Sequence, residues 1–475
     1  MGVISGKILK LNGWPEGPLI RLAKEAADAL WQAGLDREQI LARLEAVRAS
    51  PSAFLAEGEV GELAAALAQA AAAPRERPED LRPAPLDYRI WGREHIDGGA
   101  LAQMDNALRL PVSAAGALMP DAHVGYGLPI GGVLAVEEAV IPYAVGVDIA
   151  CRMRLSLYPQ SPILLDQKPA LFERALLAQT RFGMGAKWEK AQRPEHPVLD
   201  DADWEATPLL RHLHALACDQ LGTSGTGNHF VEWGEFELTE PDERLGVPPG
   251  KYLALLSHSG SRGVGFKAAE YYSKLAMDQH SRLDKAVRHL AWLDLEAEAG
   301  QEYWTTMQLA GRFASANHHV IHQRVAAAAG LEAAGGVENH HNFAWSEKLP
   351  DGRRVIVHRK GATPAGPGVL GVIPGSMGDP GYVVRGRGAA GALNSAAHGA
   401  GRQMSRKQAV NTIPRKERDR YLRERGVTLL GGGMDESPQA YKRIEQIMAA
   451  QGDLVEVIGR FRPRIVRMAD EPGDW

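Results

Sequence analysis

Hydrophobic and polar residues follow a helical period through most of the N-terminal part of the chain. This spacing predicts helices over Leu19–Ala33, from an N-cap at Asp36, and over Val60–Ala73. Residues 1–12 (MGVISGKILKLN) are instead predicted to form a short strand. These helices carry no cluster of side chains with catalytic chemistry, so we interpret them as a packing module rather than a docking module.

A charged, proline-rich stretch, Pro74–Pro85 (PRERPEDLRPAP), predicts a linker. Beyond it, short buried runs alternate with glycine-rich turns, whereas residues 164–221 and 266–330 are predicted to be largely helical. The linker therefore divides the chain into a helical segment over residues 1–85 and a second domain over residues 86–475.

Three further elements are predicted within the second domain. The apolar run Tyr252–Leu256 predicts a buried strand, and Asp453–Pro463 predicts a final strand. Arg415–Arg425 predicts a basic helix. Its arginines either form a solvated face or contact a phosphate backbone, and the interleaved acidic residues favour the solvated face.

The composition is that of an ordinary globular protein, with 475 residues of which 45% are hydrophobic and 24% charged. The formal net charge of −4 gives no general attraction to nucleic acid, so any such contact requires a local basic surface. Two cysteines argue against a disulfide-stabilised secreted protein. Without a secretory signal or a membrane-spanning stretch, we expect a cytoplasmic protein and no membrane partner.

The segment Ile141–Met153 (IPYAVGVDIACRM) carries the first candidate chemistry. Its small and β-branched residues, Ala144–Val147, predict the end of a strand. Asp148 and Cys151 follow at a spacing that lets a carboxylate and a thiol reach one metal ion from a turn. Two cysteines exclude a zinc site of four thiolates. A buried, unreactive thiol is the alternative interpretation.

Three histidines, His229, His258 and His341, lie in glycine-rich segments next to predicted strands. With Asp148 and Cys151 they form a donor set that suits a divalent transition ion, and a shared thiolate can bridge two ions. Spacing alone does not identify which of the sixteen histidines take part.

Two glycine-bracketed turns, Pro374–Gly378 (PGSMG) and His398–Arg402 (HGAGR), predict anion-binding backbone amides, with ordinary tight turns as the alternative. Neither is a P-loop, and no GxGxxG motif opens a dinucleotide-binding fold. His398 is flanked by small residues, which suits a nucleophile or a general base. Without an HExxH motif, we interpret a helical histidine group as structural or as support for the ligands: His318, His319 and His322.

The chain resembles the RtcB family of RNA-splicing ligases in the motifs MPDAHVGYGLPIGG, VGVDIAC, GTGNHFVEWG, SHSGSRGVG, HHNF, HRKGAT, IPGSMG and HGAGRQMSR. The resemblance runs from about Tyr88 to Arg467 and leaves out the N-terminal helices. It implies a mixed α/β (α+β) fold with central β-sheets flanked by helices and with glycine-rich active-site loops. It also implies an enzyme that joins RNA 3′-phosphate or 2′,3′-cyclic-phosphate ends to 5′-hydroxyl ends through a GMP–histidine intermediate.

The resemblance further implies two Mn²⁺ ions that share Cys151 as a ligand. Asp148 and His229 would complete the first ion's ligands, and His258 and His341 would complete the second's. Mn²⁺ and GTP are therefore the expected cofactors. The expected partner is RNA with the two kinds of end named above, such as tRNA halves. An accessory activator and a monomeric state are also expected.

His398 is implied to be the nucleophile that takes GMP from GTP. The guanylate contacts implied by the same resemblance are Asn228, His229, Phe230, Val231, Glu232, His341, Asn342, Pro374, Gly375, Ser376, Met377, Gly381, His398, Gly399, Ala400, Gly401 and Met468.

Three positions depart from the family pattern. Arg152 stands where a glycine usually follows the cysteine, and it is expected to add bulk and charge beside the metals. Gly381 replaces the serine that usually precedes the tyrosine at Tyr382, and Met468 replaces a lysine that meets the guanine. Guanylylation of the histidine is therefore a safer prediction than efficient sealing or strict GTP preference.

Two other functions remain compatible with these residues. One is a metal-dependent phosphohydrolase or RNA end-processing enzyme that no longer seals. The other is a nucleic-acid-binding or sensing protein with a vestigial site. His398 separates these functions, because ligation requires it as a nucleophile, whereas a hydrolase can use metal-bound water.

Overall fold

A computed structural model describes residues 3–14, 17–71 and 79–470 of the chain. These residues form two compact units. Unit 1 comprises the chain up to Glu79 together with Leu293–Trp304, and unit 2 comprises Asp80–Trp292 and the chain from Thr305 onwards. Within the described ranges, no helix is both long enough and apolar enough to cross a membrane.

The N-terminal part of unit 1 consists of helices α1 (Gly6–Leu11), α2 (Pro18–Gln32), α3 (Arg37–Ala49) and α4 (Gly61–Ala71). Their apolar faces meet in one core. Asp36 caps α3 by accepting hydrogen bonds from the backbone N–H groups of Glu38 and Gln39. The three predicted helices are confirmed, except that residues 72 and 73 of the third lie outside the described residues.

The strand predicted over residues 1–12 is wrong, because this segment contains helix α1. The hydroxyl of Ser5 caps the helix by accepting from the N–H of Ile8 at 3.4 Å. Ile4 and Leu9 are fully buried in the core of unit 1. Packing of this apolar face against α2 favours the helix. The hydrophobic pattern of so short a segment does not predict that packing.

Two large β-sheets organise unit 2. All the strands of the described residues belong to unit 2, except β8, which belongs to unit 1. In chain order they are β1 (Arg89–Ile90), β2 (Ser113–His123), β3 (Ile130–Val136), β4 (Ala139–Val140), β5 (Arg152–Tyr158), β6 (Phe230–Leu238), β7 (Gly250–Ser259), β8 (Leu293–Asp294), β9 (Gly335–His340), β10 (Asn342–Lys348), β11 (Arg354–Lys360), β12 (Ala362–Pro364), β13 (Leu370–Ile373), β14 (Gly381–Gly386), β15 (Ser395–Ala397), β16 (Thr428–Leu430) and β17 (Val455–Met468). The first sheet has the order β1-β2-β3-β11-β10. The second has the order β13-β14-β17-β6-β7-β5-β9, with β16 beside β17.

The second sheet is apolar on both faces, which explains the continuous hydrophobic run in β7. Leu253 and Leu255 pack on one side with Phe172, whereas Ala254 and Leu256 pack on the other side with Phe461. The strands predicted over Tyr252–Leu256 and Asp453–Pro463 are confirmed by β7 and β17. The mixed α/β (α+β) fold class is confirmed as well.

The later helices are α5 (Gly98–Leu108), α6 (Pro142–Val145), α7 (Leu164–Gln167), α8 (Pro169–Gln179), α9 (Pro208–Gln220), α10 (Arg262–Gln279), α11 (Glu298–Ala329), α12 (Arg406–Thr412), α13 (Arg415–Glu424) and α14 (Ile444–Ala449). The basic helix is therefore confirmed. The helical prediction over residues 164–221 is wrong between α8 and α9, where the longest regular pieces are short 3₁₀ turns. Residues 74–78 of the predicted linker lie outside the described residues, and 79–85 form no helix or strand.

The strand predicted at Ala144–Val147 is also wrong, because Pro142–Val145 form the short helix α6. Pro142 occupies the first turn, where a proline is favoured. Gly146 then takes a φ of +104°, a conformation that glycine adopts without strain and that ends the helix. The chain turns there and delivers Asp148 and Cys151 to the start of β5.

Candidate active site

Four candidate ligands lie at one edge of the second sheet. Cys151 precedes β5, His229 precedes β6, His258 is the second-last residue of β7, and His341 follows β9. Because these strands are neighbours in the order β6-β7-β5-β9 and run antiparallel, the start of one meets the end of the next. The register pairs Phe230 with His258, so the sheet itself brings the four side chains together.

The side chains converge as two groups of three that share Cys151. The Cys151 Sγ lies 3.4 Å from His229 Nε2 and 3.1 Å from His258 Nε2. His229 Nε2 lies 3.0 Å from Asp148 Oδ2, and His258 Nε2 lies 3.2 Å from His341 Nε2. The candidate ligand atoms within each group are all within 4.8 Å of one another.

Backbone carbonyls fix which nitrogen of two imidazoles faces this centre. His229 Nδ1 is 2.9 Å from the carbonyl oxygen of Ser224, and His258 Nδ1 is 3.1 Å from that of Asn228. A carbonyl only accepts, so each Nδ1 carries the proton and each Nε2 presents a lone pair. His229 Nε2 and the Asp148 carboxylate therefore face each other across a gap that either a proton or a cation can bridge.

The protonation states agree with a cation site. Burial and the neighbouring histidines lower the pKa values of His258 and His341 well below the usual range, which keeps both rings neutral. Burial alone would raise the pKa of Asp148, but the hydrogen bond and charge of His229 and the charge of Arg262 lower it to about 2. Burial and the Asp148 charge raise the pKa of the Cys151 thiol. A cation would favour the thiolate, so this sulfur, nitrogen and oxygen donor set fits a divalent transition ion.

His398 faces the same centre from the turn after β15. Its ring centroid lies 4.8 Å from that of His341. Its Nδ1 is 2.7 Å from Asp121 Oδ2, and its backbone N–H donates to the same oxygen at 3.1 Å. Asp121 is fully buried, and the carboxylate accepts the Nδ1 proton, which leaves Nε2 as the free nitrogen of the ring.

Asp121 is a functional candidate that the sequence reasoning did not single out. The ammonium group of Lys442 holds its segment by donating to the carbonyl oxygens of Pro120 and Ala122, at 3.3 and 2.7 Å. Two features of the sequence could have indicated Asp121. It lies in a glycine-rich segment, and a nucleophilic histidine needs an acidic partner.

A cavity of about 510 Å³ is lined by the five candidate metal ligands, by His398 and by most of the predicted guanylate contacts. Val231 instead packs in the core beside Trp233 and Leu253, because successive strand residues face opposite sides. Gly381 is buried in β14 opposite Phe461 and also lies outside the lining. The predicted residues that line the cavity are Asn228, His229, Phe230, His341, Asn342, Pro374, Gly375, Ser376, Met377, His398, Gly399, Ala400, Gly401 and Met468.

Glu232 is buried in β6 and does not line the cavity either. Burial raises its pKa well above the ordinary value for a glutamate, which favours the protonated form of the side chain. Met468 lines the cavity beside it as an apolar wall, while Arg467 turns away to pair with Asp470 at 3.0 Å. Because Met468 stands where the family pattern has a lysine, the cavity has an apolar side chain at this position.

The expectation that Arg152 adds bulk beside the metals is wrong. Arg152 donates to Glu338 Oε1 and to the carbonyl oxygen of Gly311, both at 2.9 Å, and it does not line the cavity. Because neighbouring residues of a strand point to opposite faces, the guanidinium projects away from the Cys151 sulfur. Arg154 completes the ion cluster by donating to Glu338 Oε2 at 2.8 Å.

A buried histidine network lies behind the sheet. His318 Nδ1 and His322 Nε2 lie 2.6 and 2.8 Å from the hydroxyl oxygen of Ser257, and His322 Nδ1 lies 2.8 Å from that of Ser156. These contacts tie α11 to β5 and β7 next to His258. They place the two histidines outside the converging metal-ligand groups.

Lys360 is a buried cavity residue whose ammonium group donates to the carbonyl oxygen of Tyr126. Burial lowers its pKa to about 7. In the unfolded chain a lysine titrates near 10.4, so between these values the unfolded state binds more protons than the folded state.

We expect Lys360 to make the protein more stable as pH rises from about 7 to 10. In Lys360→Met this rise should be flatter, because the buried group that must lose its proton is gone. Urea unfolding at several pH values, with a chelator present, measures the slope. Equal slopes in the wild type and in Lys360→Met would contradict the prediction, and Lys285→Met, at an exposed lysine, serves as the control.

The family described as tRNA-splicing ligase RtcB matches residues 103–469 of the chain. The chain belongs to the RtcB family. Among its relatives is RNA-splicing ligase RtcB of Escherichia coli strain K12, with 32% identity over 77% of this chain and 93% of the relative. The tRNA-splicing ligase RtcB of Nanoarchaeum equitans is 30% identical over 73% of this chain and 86% of the relative. RNA-splicing ligase RtcB of Mycobacterium tuberculosis is 30% identical over 76% and 98%.

The residues that match the RtcB family include the whole candidate site. Asp121, Asp148, Cys151, the three candidate ligand histidines and His398 all fall inside the matched residues, whereas α1 to α4 precede them. The resemblance drawn from the short motifs is therefore confirmed.

Proposed function

We propose that this RtcB family member is an RNA ligase that uses GTP and two Mn²⁺ ions to join 3′-phosphate or 2′,3′-cyclic-phosphate ends to 5′-hydroxyl ends. One observation carries the proposal. His398 is oriented by Asp121 with its Nε2 free, and it stands beside a shared-thiolate donor set for two ions. We assign this activity to residues 86–475 and treat residues 1–85 as a separate helical segment and linker.

In this proposal Asp148, Cys151 and His229 hold one ion, and Cys151, His258 and His341 hold the other. When bound, the two ions would neutralise phosphate charge and align the reacting groups. The protein's part is to present deprotonated donors in fixed positions, which the carbonyls of Ser224 and Asn228 do for two of the imidazoles.

His398 then acts as the nucleophile in GMP transfer. The Nε2 lone pair attacks the α-phosphorus of GTP, an N–P bond forms, and the bond from that phosphorus to the bridging oxygen breaks, releasing pyrophosphate. The ring gains positive charge in this step while its Nδ1 proton stays hydrogen-bonded to Asp121. The buried carboxylate therefore stabilises the charge as it develops.

The later steps move the GMP group to RNA. A cyclic end is first hydrolysed to a 3′-phosphate. An oxygen of that phosphate attacks the phosphorus on His398, and the N–P bond breaks to leave a guanylylated RNA end. The 5′-hydroxyl of the second RNA then attacks the RNA phosphate, loses its proton, and displaces GMP.

The guanylate would lie against the loop Pro374–Met377 and the turn Gly399–Gly401. Two side-chain hydrogen bonds fix this loop, because the hydroxyl groups of Ser376 and Tyr421 both donate to the Asp379 carboxylate at 2.5 Å. The loop is thus held in place before any ligand binds, which lowers the entropic cost of binding.

Covalent labelling tests the proposal directly. The wild-type chain, incubated with α-labelled GTP and Mn²⁺, should keep the label after denaturation, whereas γ-labelled GTP should leave none because pyrophosphate departs. His398→Ala should remove the label, and His212→Ala, at an exposed histidine of α9, should retain it. An unlabelled wild type that still opens a cyclic phosphate would instead identify an end-processing enzyme.

A further inference from the structure

Exposed apolar side chains cluster at the mouth of the active-site cavity. Val124, Tyr126 and Val147 line the cavity, yet their side chains are 54%, 70% and 41% exposed. Exposed apolar groups gathered at a cavity mouth are typical of a ligand-binding surface. The expected guanylate contacts include none of the three.

Tyr126 is the largest of these side chains, and its backbone is fixed on both sides. Gln103 accepts from the N–H of Gly125 at 3.0 Å and donates to the carbonyl oxygen of the same residue at 2.6 Å. The carbonyl oxygen of Tyr126 accepts from Lys360. The tyrosine is therefore held in place although its side chain faces solvent.

The ring of Tyr126 is also supported from one side. It lies edge-on to His289, with ring centroids 6.3 Å apart and an angle of 71°. His289 in turn lies edge-on to Tyr143 at 5.0 Å. A supported aromatic ring with most of its surface exposed provides a rigid platform for a flat ligand.

This platform belongs to the same wall as the candidate nucleophile. Lys360, which holds Tyr126, is followed by Gly361, and a Cβ at Gly361 would lie 3.1 Å from His398 Cε1. Gly361 also donates its N–H to Asn342 Oδ1 at 2.8 Å. A phosphate at His398 would therefore share this cavity with the exposed Tyr126 ring.

We propose that Tyr126 is a positioning residue that stacks on the terminal nucleobase of the RNA end. This inference rests on the proposed function, because it is the 3′-phosphate of that terminal nucleotide that must reach His398. The base attached to the same nucleotide then lies within one nucleotide of the phosphate, at the cavity mouth. An aromatic ring can stack on any base, so this contact would suit a ligase that acts on RNA ends of different sequence.

The test uses a short single-stranded RNA with a 3′-phosphate and 2-aminopurine as its terminal base. With the full chain, Mn²⁺ and no GTP, binding should quench the fluorescence of that base. Tyr126→Ala should lose the quenching and bind the RNA about 10-fold more weakly, which is the size expected for one lost stack. Tyr126→Phe should restore both, because it keeps the ring.

Two comparisons make the result decisive. Tyr271→Ala removes a 49% exposed tyrosine of α10 and should quench and bind like the wild type. Because the Tyr126 side chain is largely exposed, its truncation should leave the circular dichroism spectrum unchanged. Wild-type quenching in Tyr126→Ala, or its absence in the wild type, would overturn the inference.

The GMP-labelling assay separates this inference from the proposed function. A larger loss of labelling than of RNA affinity in Tyr126→Ala would assign the ring to the guanine of GTP and overturn the inference. A wild-type chain that quenches the RNA probe but takes no label would refute the ligase mechanism and leave the stacking contact established.

Discussion

Cys151→Ala should weaken the binding of both metal ions by at least about 100-fold, since its sulfur is the donor that the two ligand groups share. His341→Ala removes a donor from one group and should leave one ion bound. Mn²⁺ titration calorimetry, with elemental analysis of the dialysed protein, measures the number of ions per chain. We expect two in the wild type, one in His341→Ala, and an affinity at least about 100-fold weaker in Cys151→Ala.

The second cysteine supplies the matched control for this experiment. Cys218 is half-buried on α9, with its sulfur 3.9 Å from His214 Nε2 and outside both ligand groups. Cys218→Ala should therefore bind two ions with wild-type affinity. Two ions in Cys151→Ala would show that the thiol is a spectator and that the shared-ligand arrangement is wrong.

Asp121→Asn should slow GMP labelling of His398 by about 100-fold or more. The carboxylate accepts the Nδ1 proton at 2.7 Å and is fully buried, so it both sets the tautomer and balances the charge that the ring gains during attack. An amide is isosteric but neutral, so it keeps the shape of the site and loses the charge. Rapid-quench labelling with α-labelled GTP measures the rate of this single step.

The ion count provides the control for Asp121→Asn. Asp121 is not a member of either ligand group, so the variant should still bind two ions. A labelling rate within twofold of the wild type would remove the carboxylate from the mechanism. Loss of ions from this variant would show that the substitution had disturbed the site as a whole.

Much of the local structure follows from neighbouring residues in the sequence. Asp36 predicted the start of α3 because the capping contact spans two and three residues, and the apolar run of β7 predicted a buried strand. Short segments were harder to predict. Residues 6–11 and 142–145 are helical because Ser5 and Pro142 start them and because their apolar side chains pack, contributions that outweigh weak β-propensity.

The sequence by itself determined which donor residues this protein carries: one candidate thiolate, an aspartate three residues before it, and histidines in glycine-rich turns. Only the tertiary structure decided which of them meet. Cys151 and His258 are 107 positions apart, and Asp121 and His398 are 277 apart, so no local pattern links them. The order of strands β6-β7-β5-β9 brings the ligands to one edge, and the alternation of the strand turns Arg152 away from it.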